Sequence, residues 1–397
     1  MSGPSASSAS LISTNQRENP AKEFELLCAA TATRLSTQRI ACIARSGEET
    51  IDWGSLLRMA EYHGVLPLLA RNLLAHGRGT PPDVEQTLRA EFAENVRRNL
   101  WFASELVRIS RGFAARNIVA IPYKGPLLAE LAYGDLALRR FSDLDFLISP
   151  QDFARARQAL ADLGYQPSTS LSAVAQRMEL KTGYELAFDS AAGKYLVELQ
   201  WRLLPLFYAI DIRSGDLVRR SATAVLGGQE LPSLSPEDLL LVLCLHAAKH
   251  LWMRMIWLGD IAETIRSQKI DYEIVWSRAQ NLGVTRIVGV SLSLAKNVLE
   301  SELPEAAVAG KPTDPREEAL GREFAARLSR GAGYDLESRD YFWRILGLRE
   351  RRRDQARYLW RLVWTPGAGD VAAVRLPGKL SPFYGAVRVV RLLRKLG

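Results

Sequence analysis

Cysteine and long apolar runs are scarce in this chain of 397 residues. Its three cysteines, Cys28, Cys42 and Cys244, are odd in number and far apart, which argues against a disulfide framework and against a zinc ribbon. The most continuous apolar run, residues 239–245, is shorter than the ~18 to 20 residues that a membrane-spanning helix requires. Residues 1–20 have neither the basic start nor the apolar centre of a secretory signal. We therefore expect a cytoplasmic protein without a transmembrane segment.

Acidic side chains are nearly absent from the last part of the chain. Between Arg351 and Gly397, eleven Lys and Arg residues are accompanied only by Asp354 and Asp370, a net charge of +9. Because the whole chain carries +8, the first 350 residues carry a net −1. The basic character belongs to the C-terminal segment and does not indicate a nucleic-acid-binding surface elsewhere. Residues 382–396 are patterned as a basic amphipathic helix, which we expect either to contact an anionic surface or to pack on the core.

Hydrophobic residues make up 47% of the chain, enough for a substantial core divided over several domains. Helical periodicity dominates the two ends of the chain, whereas strand-like alternation lies between them. The predicted division is a disordered tail at 1–22, a helical N-terminal region at 23–116, a core with strands at 117–232, a helical domain that closes a cleft at 233–345, and a basic C-terminal segment at 346–397.

The N-terminal helices show no pattern that indicates chemistry. A long amphipathic helix is expected over residues 82–116, and we interpret the region as a helical wall. The buried stripe predicted for this helix consists of Phe92, Val96, Leu100, Leu106 and Phe113.

Two aspartates lie on a predicted strand near a glycine turn. An apolar run at 118–121 leads into Lys124-Gly125, where glycine permits a tight backbone turn. A second extended run, 141–148, carries Asp143 and Asp145, which share one face because strand side chains alternate. Two carboxylates on one face repel each other, and a fold tolerates this most readily when a divalent cation lies between them. The stretch therefore predicts a metal site.

Basic side chains accompany the predicted metal site. Lys124 adjoins the turn, and Arg139 and Arg140 precede the strand in a predicted loop. Each arginine is equally well explained as a solvated loop cation. A metal site with neighbouring cations is chemistry that suits a nucleoside triphosphate.

A predicted hairpin places a third acid near these aspartates. Strands at 184–189 and 194–201 are joined by a turn that contains Gly193. On the second strand, Glu198 and Gln200 share one face, and the apolar residues next to them point to the other. Glu198 is thus a carboxylate on a sheet face, close to the strand that carries the aspartates.

Histidines and a lysine recur at helical spacing after residue 235. His246, Lys249, His250 and Trp257 lie on one side of a predicted continuous helix. A zinc-protease helix with this spacing has glutamate after the first histidine, where this chain has Ala247, so catalytic zinc is disfavoured. Two interpretations stay open: the histidines are core or capping residues, or this side of the helix faces a ligand cleft. Trp257 is interpreted as a core residue.

The combined order and spacing of these motifs resembles a known family. Lys124-Gly125, SDLDFLI at 142–148, VELQW at 197–201 and LHAAKHLWMR at 245–254 resemble the mostly uncharacterised bacterial nucleotidyltransferase family of the DNA polymerase β-like superfamily. The resemblance extends over most of the chain. It implies an α+β fold in which a small mixed nucleotidyltransferase sheet is flanked by helices, with helical N-terminal and C-terminal regions. It also implies that residues 117–232 form the catalytic core.

The resemblance further assigns residues to roles. Asp143 and Asp145 match the superfamily's paired aspartates and Glu198 matches its third carboxylate, a set that binds two Mg²⁺ ions, with Mn²⁺ as an alternative. Gly125 matches the glycine of the turn, but the superfamily's common Gly-Ser pair is Gly125-Pro126 here. The candidate nucleotide-binding residues are Lys124, Gly125, Arg139, Arg140, Ser142, His246, Lys249 and His250.

The activity implied by the resemblance is metal-dependent transfer of an NMP group from an NTP, with ATP favoured, to a hydroxyl of an acceptor, with release of pyrophosphate. Two metal ions stabilise the attacking and departing oxygens in such reactions. The sequence does not identify the acceptor, so small molecules, peptides, sugars and RNA stay open. The alternative is a non-catalytic, NTP-binding regulatory or docking protein that uses the same fold.

Overall fold

A computed structural model describes residues 21–169, 173–190, 196–331, 335, 338–366, 370, 374 and 383–396. Residues 1–20 of the expected disordered tail and the predicted Gly193 turn lie outside these ranges. Within the described part of the chain, no helix combines the length and the apolar character needed to cross a bilayer.

In the part of the chain that the structure describes, five α-helices precede the first strand, in agreement with the predicted helical N-terminal region. Asp52 caps the third of them, because its carboxylate accepts the N–H of Ser55 at 2.9 Å. Gly64, in a left-handed conformation with φ of 72°, ends the same helix. The helices are α1 (Ala21–Ala30), α2 (Thr37–Ala44), α3 (Trp53–His63), α4 (Leu66–His76) and α5 (Pro82–Ala114).

The buried face of α5 differs in part from the predicted stripe. Leu106 and Phe113 are buried as expected, but Leu100 is 57% exposed. Asn95 and Asn99 occupy the buried face instead, where their side-chain amides donate to carbonyl oxygens of residues 136–139 at 2.6 to 2.8 Å. A search for apolar residues could not identify this face, because its buried residues are polar. Their hydrogen bonds hold the loop that precedes the aspartate strand.

A small mixed sheet follows, as predicted. Its strand order is β1-β2-β5-β4-β3, and the central β2–β5 pair is parallel whereas the other pairs are antiparallel. The strands are β1 (Ala120–Pro122), β2 (Asp143–Ile148), β3 (Tyr165–Pro167), β4 (Glu185–Ser190) and β5 (Leu196–Gln200), and the helices among them are α6 (Gly125–Leu128), α7 (Phe153–Asp162) and α8 (Ala173–Thr182).

The two faces of the sheet have different surroundings. Leu144 and Phe146 of β2 and Val197 and Leu199 of β5 are buried in one hydrophobic cluster that includes Phe113 of α5. The alternate positions of β2 and β5 carry the polar side chains of the site. The sheet therefore rests on an apolar layer and presents its carboxylates on the opposite face.

The rest of the described chain is mainly helical. A hairpin with strands β6 (Ala222–Leu226) and β7 (Gln229–Ser233) lies between the first of these helices and the others. The helices are α9 (Ser214–Arg219), α10 (Pro236–Lys249), α11 (Met255–Ser267), α12 (Tyr272–Leu282), α13 (Thr285–Leu299), α14 (Glu305–Ala309), α15 (Glu317–Ser329), α16 (Arg339–Gly347), α17 (Arg352–Trp364) and α18 (Tyr384–Leu396).

The prediction that a single helix carries both histidines and Trp257 was wrong. The chain turns between α10 and α11, where Leu251 and Trp252 adopt left-handed φ values of 50° and 51°. Leucine and tryptophan rarely adopt positive φ values, so their presence in the sequence does not indicate that the helix ends here. Trp252 is buried at the turn, and its Nε1 donates to Ser291 Oγ at 3.0 Å.

The basic helix α18 lies against α17. The Nε of Arg388 donates to the carbonyl oxygen of Leu362 at 2.7 Å, and Arg388 and Arg391 both pair with Asp370. Part of the positive charge of this segment is therefore balanced within the chain. Contact of the helix with an anionic surface stays a prediction, as do the exact domain boundaries.

Candidate functional site

Three carboxylates meet on the polar face of the central strand pair. In the parallel register of β2 and β5, Asp145 lies directly beside Glu198, and alternation brings Asp143 to the same face. One carboxylate oxygen from each lies within 4.8 Å of those of the other two. Of the residues that the structure describes, these form the one group of three or more acids, histidines or cysteines close enough to share a metal ion.

Burial and mutual repulsion act strongly on these acids. Burial, followed by the neighbouring Asp145 charge, raises the pKa of Asp143 to about 6. Burial, followed by Asp145 and Glu185, raises the pKa of Glu198 to about 9. Oδ2 of Asp145 is buried and has no hydrogen-bond partner in the described structure. Closely spaced carboxylate oxygens with an unused buried oxygen fit a hard divalent cation such as Mg²⁺ or Mn²⁺.

The Lys124-Gly125 turn lies directly beside the carboxylates. Gly125 has a φ of 57°, and a Cβ there would lie 3.3 Å from the carbonyl oxygen of Asp143, so glycine suits both the backbone angle and the close approach. Pro126 follows in the first turn of α6, as predicted. The Nζ of Lys124 is 3.1 Å from Asp145 Oδ1. Burial acts to lower the pKa of Lys124, but the surrounding acids, led by Asp145, raise it overall, so the amine stays charged.

The two arginines before β2 have different partners. Arg139 is 6% exposed, and its guanidinium binds both carboxylate oxygens of Asp260. Arg140 pairs with Glu61 near the surface. Both arginines and the exposed Ser142 line the cleft above the carboxylates. The charge of Arg139 is therefore already balanced, whereas the more exposed pair of Arg140 is the easier one to exchange for a ligand.

The structure brings the predicted histidine cluster to the cleft. His246, Lys249 and His250 all line it, from the last turn of α10 and the residue after it. Trp257, interpreted as a core residue, is half-buried against the hydrophobic core, and it also lines the cleft and stacks on His250 with ring centroids 4.7 Å apart. Burial and neighbouring cations lower the pKa of His250 to about 3 and that of His246 well below its usual value. Both imidazoles are therefore neutral near pH 7.

The cleft has a volume of about 720 Å³ and is lined from five parts of the chain, residues 61–64, Arg98, and residues within 123–143, 184–203 and 246–257. Glu61 and Tyr62 of α3 line it, so the N-terminal helical wall, in which the sequence showed no pattern that indicates chemistry, contributes side chains to the cleft. No local pattern marks these two residues, because their place depends on contacts with distant segments. Further lining residues missed by the sequence analysis are Tyr123, Tyr184, Glu185 and Gln200. For Glu185 and Gln200 a signal existed, since strand alternation puts both on the face of Glu198.

Comparison with known proteins gives a match to a family model. A family model described as "Uncharacterised nucleotidyltransferase" matches residues 49–300, which include every residue of the site described above. No curated protein and no solved structure gives a match.

Proposed function

The chain belongs to the uncharacterised nucleotidyltransferase family, and from this premise we propose that it transfers an NMP group from an NTP, with ATP favoured, to a hydroxyl of an acceptor. The observation that carries the proposal is the convergence of Asp143, Asp145 and Glu198, with oxygens within 4.8 Å, at a cleft of about 720 Å³. A cleft of this size falls in the usual range for small-molecule sites.

The donor set supports a divalent metal as cofactor. Three carboxylates supply only oxygen ligands, which favours Mg²⁺ or Mn²⁺ over softer metals. We propose two such ions, held by Asp143 and Asp145 together, with Glu198 on the acceptor side. When bound, the ions would polarise the phosphate oxygens and lower the pKa of the attacking hydroxyl.

The residues of the chain would bind and orient the triphosphate. Lys124 forms an ion pair with Asp145 and so holds this carboxylate in place. Arg140 and Ser142, in the loop before β2, line the cleft and would contact phosphate oxygens. On the opposite wall, the stacked rings of His250 and Trp257 offer a flat aromatic surface of the kind that suits a nucleobase or an acceptor ring.

The reaction balances without a further co-reactant. The acceptor oxygen forms a bond to the α-phosphorus while the bond from that phosphorus to the bridging oxygen of the β-phosphate breaks. Pyrophosphate leaves with that bridging oxygen, and the hydroxyl proton passes to solvent. The acceptor class, whether a small molecule, a peptide, a sugar or RNA, is what the experiment below determines.

The test uses each of the four NTPs labelled at the α-phosphate, with Mg²⁺, the purified protein and a cell lysate. We expect the wild-type protein to move label from one NTP into one fraction, small molecules, protein or RNA. The Asp143→Asn/Asp145→Asn variant should move none. Label at the γ-phosphate should instead appear as pyrophosphate.

A matched control is Asp162→Asn, which removes an exposed acid that is absent from the cleft lining and should leave transfer unchanged. Transfer that persists in the double variant would exclude these aspartates from the reaction. NTP binding without transfer under any condition would favour the alternative, a regulatory NTP-binding protein.

A further inference from the structure

Gln200 lies among the carboxylates of the site. Its side chain is 2% exposed, and Nε2 lies 3.0 Å from Asp145 Oδ1. The same nitrogen is 3.1 Å from Glu198 Oε2 and 3.1 Å from Glu185 Oε2. An amide nitrogen carries two hydrogens, so three carboxylates share them. Gln200 thus contacts acids from β2, β4 and β5 at once.

Tyr123 determines which end of that amide faces the acids. Its hydroxyl donates to Gln200 Oε1 at 2.6 Å. Burial raises the pKa of the Tyr123 hydroxyl, so the hydroxyl keeps the proton that it donates. With Oε1 held by this donor, Nε2 must point to the carboxylates. The flipped amide, which would turn an acceptor toward three acids, is disfavoured.

The two oxygens of Asp145 are consequently unequal. Oδ1 accepts from Lys124 Nζ at 3.1 Å and from Gln200 Nε2 at 3.0 Å. Oδ2, which is buried, has no partner among the described residues. A buried carboxylate oxygen without a donor is unusual, and it leaves that oxygen available to a cation. Gln200 and Lys124 together therefore decide which oxygen of Asp145 is presented.

We propose that Gln200, oriented by Tyr123, is a positioning residue that sets the carboxylates of the metal site in their binding geometry. The amide donates to Oδ1 of Asp145 and to Oε2 of Glu198, so that the remaining oxygens are left to bind the cation. It also ties Glu185 to the margin of the site. This role rests on the proposed function, because it requires that Asp143, Asp145 and Glu198 bind metal.

The experiment measures Mn²⁺ binding by the full chain without nucleotide, by calorimetry and by the EPR signal of free Mn²⁺. Residues that orient metal ligands typically contribute 10–100-fold to affinity, so Gln200→Leu should weaken Mn²⁺ binding about tenfold. Tyr123→Phe should weaken it on the order of threefold, because the amide remains but loses its orientation. Transfer by Gln200→Leu should recover at higher Mn²⁺ concentration, which a merely structural defect would not show.

Two matched controls remove the same groups elsewhere. Gln268→Leu deletes an amide that donates to the Leu131 carbonyl at 2.6 Å, away from the acids. Tyr272→Phe deletes a buried hydroxyl with no partner in the described structure. Both should bind Mn²⁺ like the wild type.

Several outcomes would overturn the inference. The inference is wrong if the folded Gln200→Leu variant binds Mn²⁺ with wild-type affinity. It is also wrong if Gln268→Leu loses as much Mn²⁺ affinity as Gln200→Leu. If Gln200→Leu fails to fold, Tyr123→Phe decides by the same titration. If the wild type binds no Mn²⁺, or binding survives in Asp143→Asn/Asp145→Asn, the proposed metal site fails and the inference fails with it. If the wild type binds Mn²⁺ at these aspartates and Gln200→Leu binds it equally well, the proposed metal site stands and only the role of Gln200 is refuted.

Discussion

Arg139 and Asp260 form a buried, two-pronged ion pair, with Nε 2.7 Å from Oδ1 and Nη2 2.9 Å from Oδ2. Tyr133 donates to the same carboxylate at 2.8 Å. The pair joins the loop that precedes β2 to helix α11. The aspartate strand is thereby fixed to α11, which also lines the cleft through Ile256 and Trp257.

Breaking this pair on one side should destabilise the protein severely. Arg139→Met or Asp260→Asn leaves a buried polar or charged partner uncompensated, which typically costs about 3 to 5 kcal/mol. The double variant Arg139→Met/Asp260→Asn should be less destabilised than the sum of the two single losses. Urea unfolding measures all three. Arg322→Met, which breaks an exposed pair with Glu318, serves as control and should lose at most about 1 kcal/mol.

Acid should destabilise the protein through His63. This ring is fully buried, its Nδ1 accepts the N–H of Met255 at 3.4 Å, and burial, followed by the charge of Arg254, lowers its pKa to about 4. Because the unfolded chain binds the proton first, the stabilisation is complete above pH ~6.5 and is lost as pH falls toward 4, by about 3 kcal/mol.

The measurement is the free energy of unfolding against pH for the wild type and His63→Asn, whose amide oxygen can still accept from Met255. The variant should show a shallower decline between pH 6.5 and 4. Parallel curves would assign the acid sensitivity to other groups.

Asp143→Asn should stabilise the metal-free protein while abolishing transfer. The substitution removes one of three closely spaced, mutually repelling carboxylates, a gain of about 1 to 2 kcal/mol. Thermal melting in EDTA should therefore give a higher Tm for the variant. Added Mn²⁺ should raise the wild-type Tm and leave that of the variant nearly unchanged. A lower Tm for the variant in EDTA would show that repulsion is not the dominant effect of this carboxylate.

Arg140→Ala should weaken NTP binding with little change in stability. Its partner Glu61 is half exposed, so loss of the pair should change stability by less than about 1 kcal/mol. A lost charge-assisted contact to phosphate corresponds to about a tenfold change in affinity. Titration with a fluorescent NTP analogue checks this. Arg155→Ala removes an exposed cation that is absent from the cleft lining and should bind the analogue normally. Equal affinities for Arg140→Ala and wild type would place the triphosphate elsewhere in the cleft.

Strand alternation carried most of what could be predicted of the site. It placed Asp143 and Asp145 on one face and Glu198 near them, and the parallel β2–β5 register confirms that geometry. It also placed Gln200 on the same face of the sheet as Glu198. What alternation could not supply was the orientation of that amide, because Tyr123 comes from a segment 77 residues away.

The unpredicted features share a physical cause, dependence on distant partners. Leu100 is exposed because Asn95 and Asn99 hold the loop before β2, a role that no hydrophobic pattern encodes. The turn at Leu251 and Trp252 uses left-handed backbone at residues that give no local sign of it. Local periodicity therefore located many of the helices and four strands of the sheet, but it missed β3, the β6–β7 hairpin and some of the buried faces and helix breaks.

The Arg139–Asp260 pair also bears on how the nascent chain matures. Its two residues are 121 positions apart, so during synthesis the guanidinium emerges from the ribosome long before its counterion. Burying Arg139 is unfavourable until α11 has been made, which keeps the loop before β2 solvated during that interval. The site would then assemble only after α11 emerges, even though all three carboxylates have been translated earlier.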